Sequence, residues 1–157
     1  MAFFRIRDYD NIQRFLTPSM PLREVHLEHG VDLSIAQQDS DISCFMRMLA
    51  YRYAANLVTL SIHQWRTARL PLDRVVQIMP HLTLLTYIGR VSATDLRNML
   101  LVVACGVCDK LKHLNIHIQD DADKRNYWRN TADALVKEFK PIMQLYNIHF
   151  FVDIYKA

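Results

Sequence analysis

Four side chains in the stretch CGVCDKLKHLNIH, residues 105–117, are of the types that ligate metals: Cys105, Cys108, His113 and His117. Two thiolates and two imidazoles can close a tetrahedral zinc site, and C-x2-C-x4-H opens a zinc knuckle. The fourth knuckle position is Ile118 here, and His117 comes one residue early. A knuckle also needs polar, glycine-rich loops to wrap the ion, whereas this segment continues an apolar helical run. On a helix, Cys105 and Cys108 are one turn apart while His113 lies about 7.5 Å further along the axis. One ion does not reach all four. A redox dithiol works at a helix N-terminus, where the dipole lowers a thiol pKa, but Cys105 falls thirteen residues after the expected cap, Ser92. The expectation is a pair of small residues at a helix–helix contact, with no metal.

The remaining candidates for chemistry are weaker. The chain has seven histidines, but no Ser, Cys or carboxylate recurs beside them in a catalytic arrangement. His26 and His29, near Glu28, read as a solvated helix face. Asp120, Asp121 and Asp123 lack the glycine and terminal glutamate of a calcium loop and read as a cap on the following helix. No glycine-rich phosphate loop is present. The expectation is a protein that is not an enzyme and needs no cofactor.

Charge is more informative. The net charge is +3, but residues 43–97 hold seven basic and two acidic side chains, and all seven are arginine. The first lysine is Lys110. Arginine binds phosphate in a planar fork and stacks on aromatic rings, which lysine does not. Arg47, Arg52, Arg66, Arg69, Arg74, Arg90 and Arg97, with Tyr51, Trp65 and Tyr87, therefore form the candidate RNA-binding set. Arginines along a helix suit a duplex backbone, and aromatic rings can stack on bases. The competing reading is a solvated face with a few ion pairs.

The elements that must position these residues read as helices. Helix is expected over 8–16, over 19–30 between Ser19 and Gly30, and from Asp39 or Ser40 to about Ala68, where Ile42, Phe45, Met46, Leu49, Tyr53, Leu57 and Leu60 step by three and four. VDLSIAQQ alternates like a strand and is read as an extended linker. LPLDRVVQIMP is a helix, and HLTLLTYI a short apolar piece. Ser92 caps a helix that keeps its spacing from Leu96 to Leu114. A last helix runs through KRNYWRNTADALVKEF and kinks or restarts at Pro141, and the final eight residues fit helix or strand. No internal repeat is apparent. With 3 glycines and 5 prolines, tight hairpins are scarce. The fold expected is all-α, a bundle of about six to eight helices in an N-terminal half (1–90) and a C-terminal half (91–157).

Three cysteines, charges in the N-terminal MAFFRIRDYD where a secretory core would lie, and no apolar run beyond MLLVVACGVC point to a soluble cytoplasmic protein.

MAFFRIRDYDNIQRFL and YIGRVSATDLRNMLLVVACGVCDKL resemble the RNA-silencing suppressors of closteroviruses. The resemblance implies a viral, all-helical protein that assembles into a homo-oligomeric ring and sequesters short double-stranded RNA without sequence specificity in the host cytoplasm. It transfers no individual binding residue. NMLLVVACGVCDKL and the ending FFVDIYKA also look like poxviral proteins with an apoptosis-regulator fold, which implies a helical module that binds a host protein and blocks death or immune signalling. Under the first expectation, reversing the charges of Arg66 and Arg69 together weakens all RNA sequences alike in a duplex titration. The salt slope then falls by about 0.7–0.9 per lost phosphate contact.

Overall fold

One apolar spacing recurs four times along the chain: Leu22-x-x-Val25-x-Leu27, Leu57-x-x-Leu60-x-Ile62, Leu82-x-x-Leu85-x-Tyr87 and Leu111-x-x-Leu114-x-Ile116. The step of three turns the chain inward and the step of two lies along a strand. The computed structural model describes residues 2–6, 16–17, 19–29, 35–65, 72–120 and 125–156. In it, each of these units opens a strand. The element order is β1 (Ala2–Ile6), β2 (Glu24–His29), α1 (Ile35–Tyr53), β3 (Thr59–Trp65), α2 (Leu72–Ile78), β4 (Leu84–Gly89), α3 (Ala93–Ala104), β5 (His113–Asp120), α4 (Arg125–Leu145) and β6 (His149–Lys156).

The six strands form one sheet in sequence order, every neighbouring pair parallel. Parallel neighbours require crossovers of a consistent hand, so successive helices stack on the same side. α1 packs on α2, α2 on α3 and α3 on α4. The register aligns the repeats: Val25, Leu60, Leu85, Leu114 and Phe150 form one row across the sheet, and Leu27, Ile62, Tyr87, Ile116 and Val152 the next. From β2 to β5 these residues are at most 1% exposed, and they merge with Phe45, Leu49, Met99, Leu100, Phe139 and Met143 of the helices into one core.

The turns between repeats share a hydrogen-bond device. The carbonyl of Arg23 accepts the N–H groups of Val58 and Thr59 (2.8 and 3.0 Å). Val58 does the same for Thr83 and Leu84 (2.8 and 3.2 Å), and Thr83 for Lys112 and His113 (2.8 and 3.0 Å). Each accepting carbonyl follows the first leucine of its repeat. α3 is capped by Ser92, whose Oγ accepts the Asp95 N–H at 3.0 Å and donates to the Asp95 carboxylate at 2.7 Å. It ends at Gly106, whose φ of 76° is the left-handed conformation that terminates helices. On the edge strand β6, the Ile154 N–H donates to Oδ1 of Asp153 at 2.8 Å.

The all-α expectation is overturned: this is an α/β fold with a six-stranded parallel sheet. The reason is specific. Leu57 and Leu60, or Leu111 and Leu114, lie three apart as on a helix face, and leucine favours helices over strands. Glycine scarcity does not exclude a sheet whose strands are joined by helices instead of hairpins. The helix expected over 19–30 is strand β2 in its second half, and the helix expected to reach Ala68 ends at Tyr53 and gives way to β3. The helix expected to reach Leu114 stops at Ala104, and the final residues are strand β6. Ile35 to Gln38, read as linker, begin α1, and the apparent lack of a repeat is corrected by the spacing above. α2 and the Ser92 cap lie where the sequence places them, and α4 runs through Pro141 to Leu145. The helix expected over 8–16 falls almost wholly outside the described residues.

Leu114 is fully buried and Tyr51 is 91% exposed. Leu114→Ala is expected to cost about 2–5 kcal/mol, and Tyr51→Ala less than about 0.5 kcal/mol. Urea unfolding checks both, through midpoint shifts at an unchanged slope.

Candidate docking surface

Strand side chains alternate between the two faces of a sheet. With Val25, Leu60, Leu85 and Leu114 turned to the helices, the opposite positions line a face that no described helix covers. On β3 these are Thr59, Ser61 and His63, and on β4 Leu84, Thr86 and Ile88. On β5 they are His113, Asn115, His117 and Gln119, and on β6 His149, Phe151, Asp153 and Tyr155. β2 contributes Glu24 and His26. Five of the seven histidines thus stand on one face, although they are spread from residue 26 to residue 149 in the chain.

Contacts on the face run from strand to strand. Asn115 Nδ2 donates to Thr86 Oγ1 at 3.5 Å, across β5 and β4. The His113 and His149 rings lie 5.8 Å apart between centroids, and His117 and Phe151 lie 5.5 Å apart. His117 Nδ1 is 3.9 Å from Asp153 Oδ2. Among the described side chains at face positions, the acidic ones are Glu24 on β2 and Asp153 on β6. Between them, the described face residues of β3, β4 and β5 include hydroxyls, two amides and imidazoles, with no carboxylate. Arg90 is exposed where β4 ends, and Lys110 and Lys112 are exposed just before β5 begins.

The arginines singled out from the sequence are distributed differently. Arg47 and Tyr51 are exposed on α1 and Arg74 on α2, so they belong to the helical layer. Arg52 donates from Nη1 to the Leu16 carbonyl at 2.6 Å, beside Tyr53, whose hydroxyl donates to the Thr17 carbonyl at 2.6 Å. Arg97 forms a two-pronged ion pair with Glu138 (2.7 and 2.6 Å) and lies 5.8 Å from the Phe139 ring centre, tying α3 to α4. Trp65 closes β3, in register with Gly89. Arg66 and Arg69 lie outside the described residues. A groove of about 480 Å³ between α3 and α4 is lined by Arg97, Tyr127, Asn130, Thr131, Leu135 and Glu138. Its two charged groups are spent on each other.

The cysteine–histidine stretch is also redistributed. Cys105 is exposed at the C-cap of α3, while Cys108 is 3% exposed in the core. The Cys108 thiol is directed at the carbonyls of Met79, Pro80 and Leu82 (3.5, 3.4 and 3.9 Å). His113 and His117 stand on the far side of the sheet from that core. The role expected for the small residues 104–108, close helix packing, gives way to helix termination at Gly106 and burial of Cys108. Among the described residues, no group of three or more His, Cys, Asp or Glu could hold a metal ion. No described helix is long and apolar enough to cross a membrane. A period-two reading of the four repeats would have gathered the face residues, whereas a helical reading scatters them.

Burial, aided by the charge of Asp109, pushes the Cys108 thiol up to about 11 from an ordinary 9.0. A raised folded pKa means that the fold holds the proton more tightly than the unfolded chain does. The associated stability is therefore whole below pH 9 and is lost as pH rises through about 11. Iodoacetamide at pH 8 is expected to alkylate Cys44 and Cys105, both exposed, and to reach Cys108 only after denaturation, as read by peptide mass spectrometry.

Comparison of the chain with protein families, curated proteins and solved structures finds no match, so the viral and silencing-suppressor likenesses gain no support from it.

Proposed function

We propose that the chain is a non-catalytic docking module whose uncovered sheet face binds a carboxylate-bearing segment of another protein. The observation that carries this reading is the face itself. Parallel sheets are ordinarily covered on both sides, and here one side is left open by every described helix. Among the described residues, the face positions of β3, β4 and β5 carry hydrogen-bond donors and no acid, and exposed cations, Lys110 and Lys112, stand where β5 begins. Thr59, Thr86 and Asn115, all partly exposed, offer hydroxyl and amide donors, and an imidazole N–H donates whether or not the ring is charged. Leu84, Ile88 and Phe151 supply apolar contact beside them. Electrostatic complementarity of this kind selects partners and speeds encounter.

The reading keeps the host-protein-binding expectation in general form, without its helical groove. Capture of short duplex RNA by a homo-oligomer has less to support it. Of its candidate contacts, Arg97 is engaged by Glu138 and Arg52 by a backbone carbonyl, which leaves Arg47 and Arg74 as the other exposed candidate arginines of the described helices.

The test is a phage-displayed peptide selection against the native chain, followed by titration of the enriched peptides. They are expected to be rich in Asp and Glu and to lose binding to Thr86→Glu and Asn115→Glu, which place a like charge mid-face. Enriched peptides without acidic bias, or undiminished binding to both variants, would sink the proposal. An RNA duplex bound at physiological salt, with affinity lost on Arg47→Glu plus Arg74→Glu but kept in Thr86→Glu, would instead favour the nucleic-acid reading.

A further inference from the structure

We infer that His113 and His149 form a two-imidazole site for a divalent transition metal, favouring Cu²⁺ over Ni²⁺ and Zn²⁺. The two residues are 36 positions apart in sequence but directly paired in register on β5 and β6. Both are exposed on the uncovered face. Their backbones are pinned by the turn device of the fold: the His113 N–H donates to the Thr83 carbonyl at 3.0 Å and the His149 N–H to the Lys112 carbonyl at 2.7 Å. The side chains therefore leave adjacent strands side by side, about 4.8 Å apart at the backbone.

Ring geometry fits a shared ion. Two imidazoles bound at about 2.0–2.1 Å hold their centroids about 4.5 Å apart as cis ligands of a tetragonal Cu²⁺ and about 5 Å apart around a tetrahedral ion. The observed separation is 5.8 Å with the ring planes inclined at 47°, so small rotations about the side-chain bonds bring one nitrogen of each ring onto a common ion. Water completes the coordination, which leaves the site open. The next residue in this row is Leu84, which offers no competing ligand, and the Asn115 amide two residues along is directed at Thr86. His117, four residues along β5, faces the Asp153 carboxylate instead of a second imidazole. Nitrogen donors with open positions follow the general order in which Cu²⁺ binds most tightly. The ion at this corner of the face would not need the docking partner, so the inference stands apart from the proposed function.

The experiment is a titration of the tag-free full chain with Cu²⁺ alone, followed by imidazole NMR and calorimetry. The His113 and His149 ring resonances are expected to broaden first. His113→Ala and His149→Ala should each weaken the first binding step roughly tenfold or more. His26→Ala, three strands away, should titrate as the native chain does. Since both ligands are exposed, circular dichroism should show the variants folded. If either variant is misfolded, the order of broadening in the native chain decides by itself. First broadening at another histidine, or native affinity in His149→Ala, overturns the site.

Discussion

The fold depends on one backbone interaction made three times. The carbonyl after the first leucine of a repeat accepts two N–H groups from the start of the next: Arg23 from Val58 and Thr59, Val58 from Thr83 and Leu84, Thr83 from Lys112 and His113. A buried or half-buried carbonyl has two lone pairs to satisfy, and here both are used where one repeat hands over to the next. This fixes the pairing of neighbouring strands before any side chain is considered. A slip of one residue would turn Val25, Leu60, Leu85 and Leu114 away from the helices and put polar residues into the core. Leucines and carbonyls thus specify the same register independently, the agreement between local and global preferences that favours a single structure.

Legibility of the sequence followed from how local each feature is. The Ser92 cap, the short helix between Pro71 and Pro80 and the long helix before Leu145 are written in adjacent residues, and they are where the sequence puts them. The strands are not local. Their side chains are leucines, histidines and threonines with no hairpin turn nearby, and what marks them is recurrence over gaps of 35, 25 and 29 residues, from Leu22 to Leu57, Leu82 and Leu111. A reader counting threes and fours inside one window sees helix. The candidate site suffered the same way. The arginines are conspicuous because they cluster in sequence, whereas His26, His63, His113, His117 and His149 come onto one face only through the sheet.

The two faces of the sheet divide the work. The helix side holds the apolar mass, including Tyr87, whose buried hydroxyl donates to the Arg90 carbonyl and whose pKa is driven upward chiefly by burial. Arg97 and Glu138 clamp the helical layer across α3 and α4, a contact of modest worth because both side chains are nearly half exposed. The other side contributes little to that apolar mass, and apart from buried Ser61 and Gln119 its residues can vary in chemistry with little loss of packing. That separation lets a stack of similar repeats carry dissimilar functional surfaces.

The Asp153 carboxylate has a meaning for the assembly of the chain. The His149 N–H points at β5, and amides alternate in direction along a strand, so the Ile154 N–H points the other way, off the open edge. Unpaired edges are templates on which other strands can polymerise. Here that donor is already answered by the residue beside it. An incoming strand would have to evict a charged group before it could add to the ladder, so the outermost described strand carries its own obstacle to uncontrolled growth of the sheet.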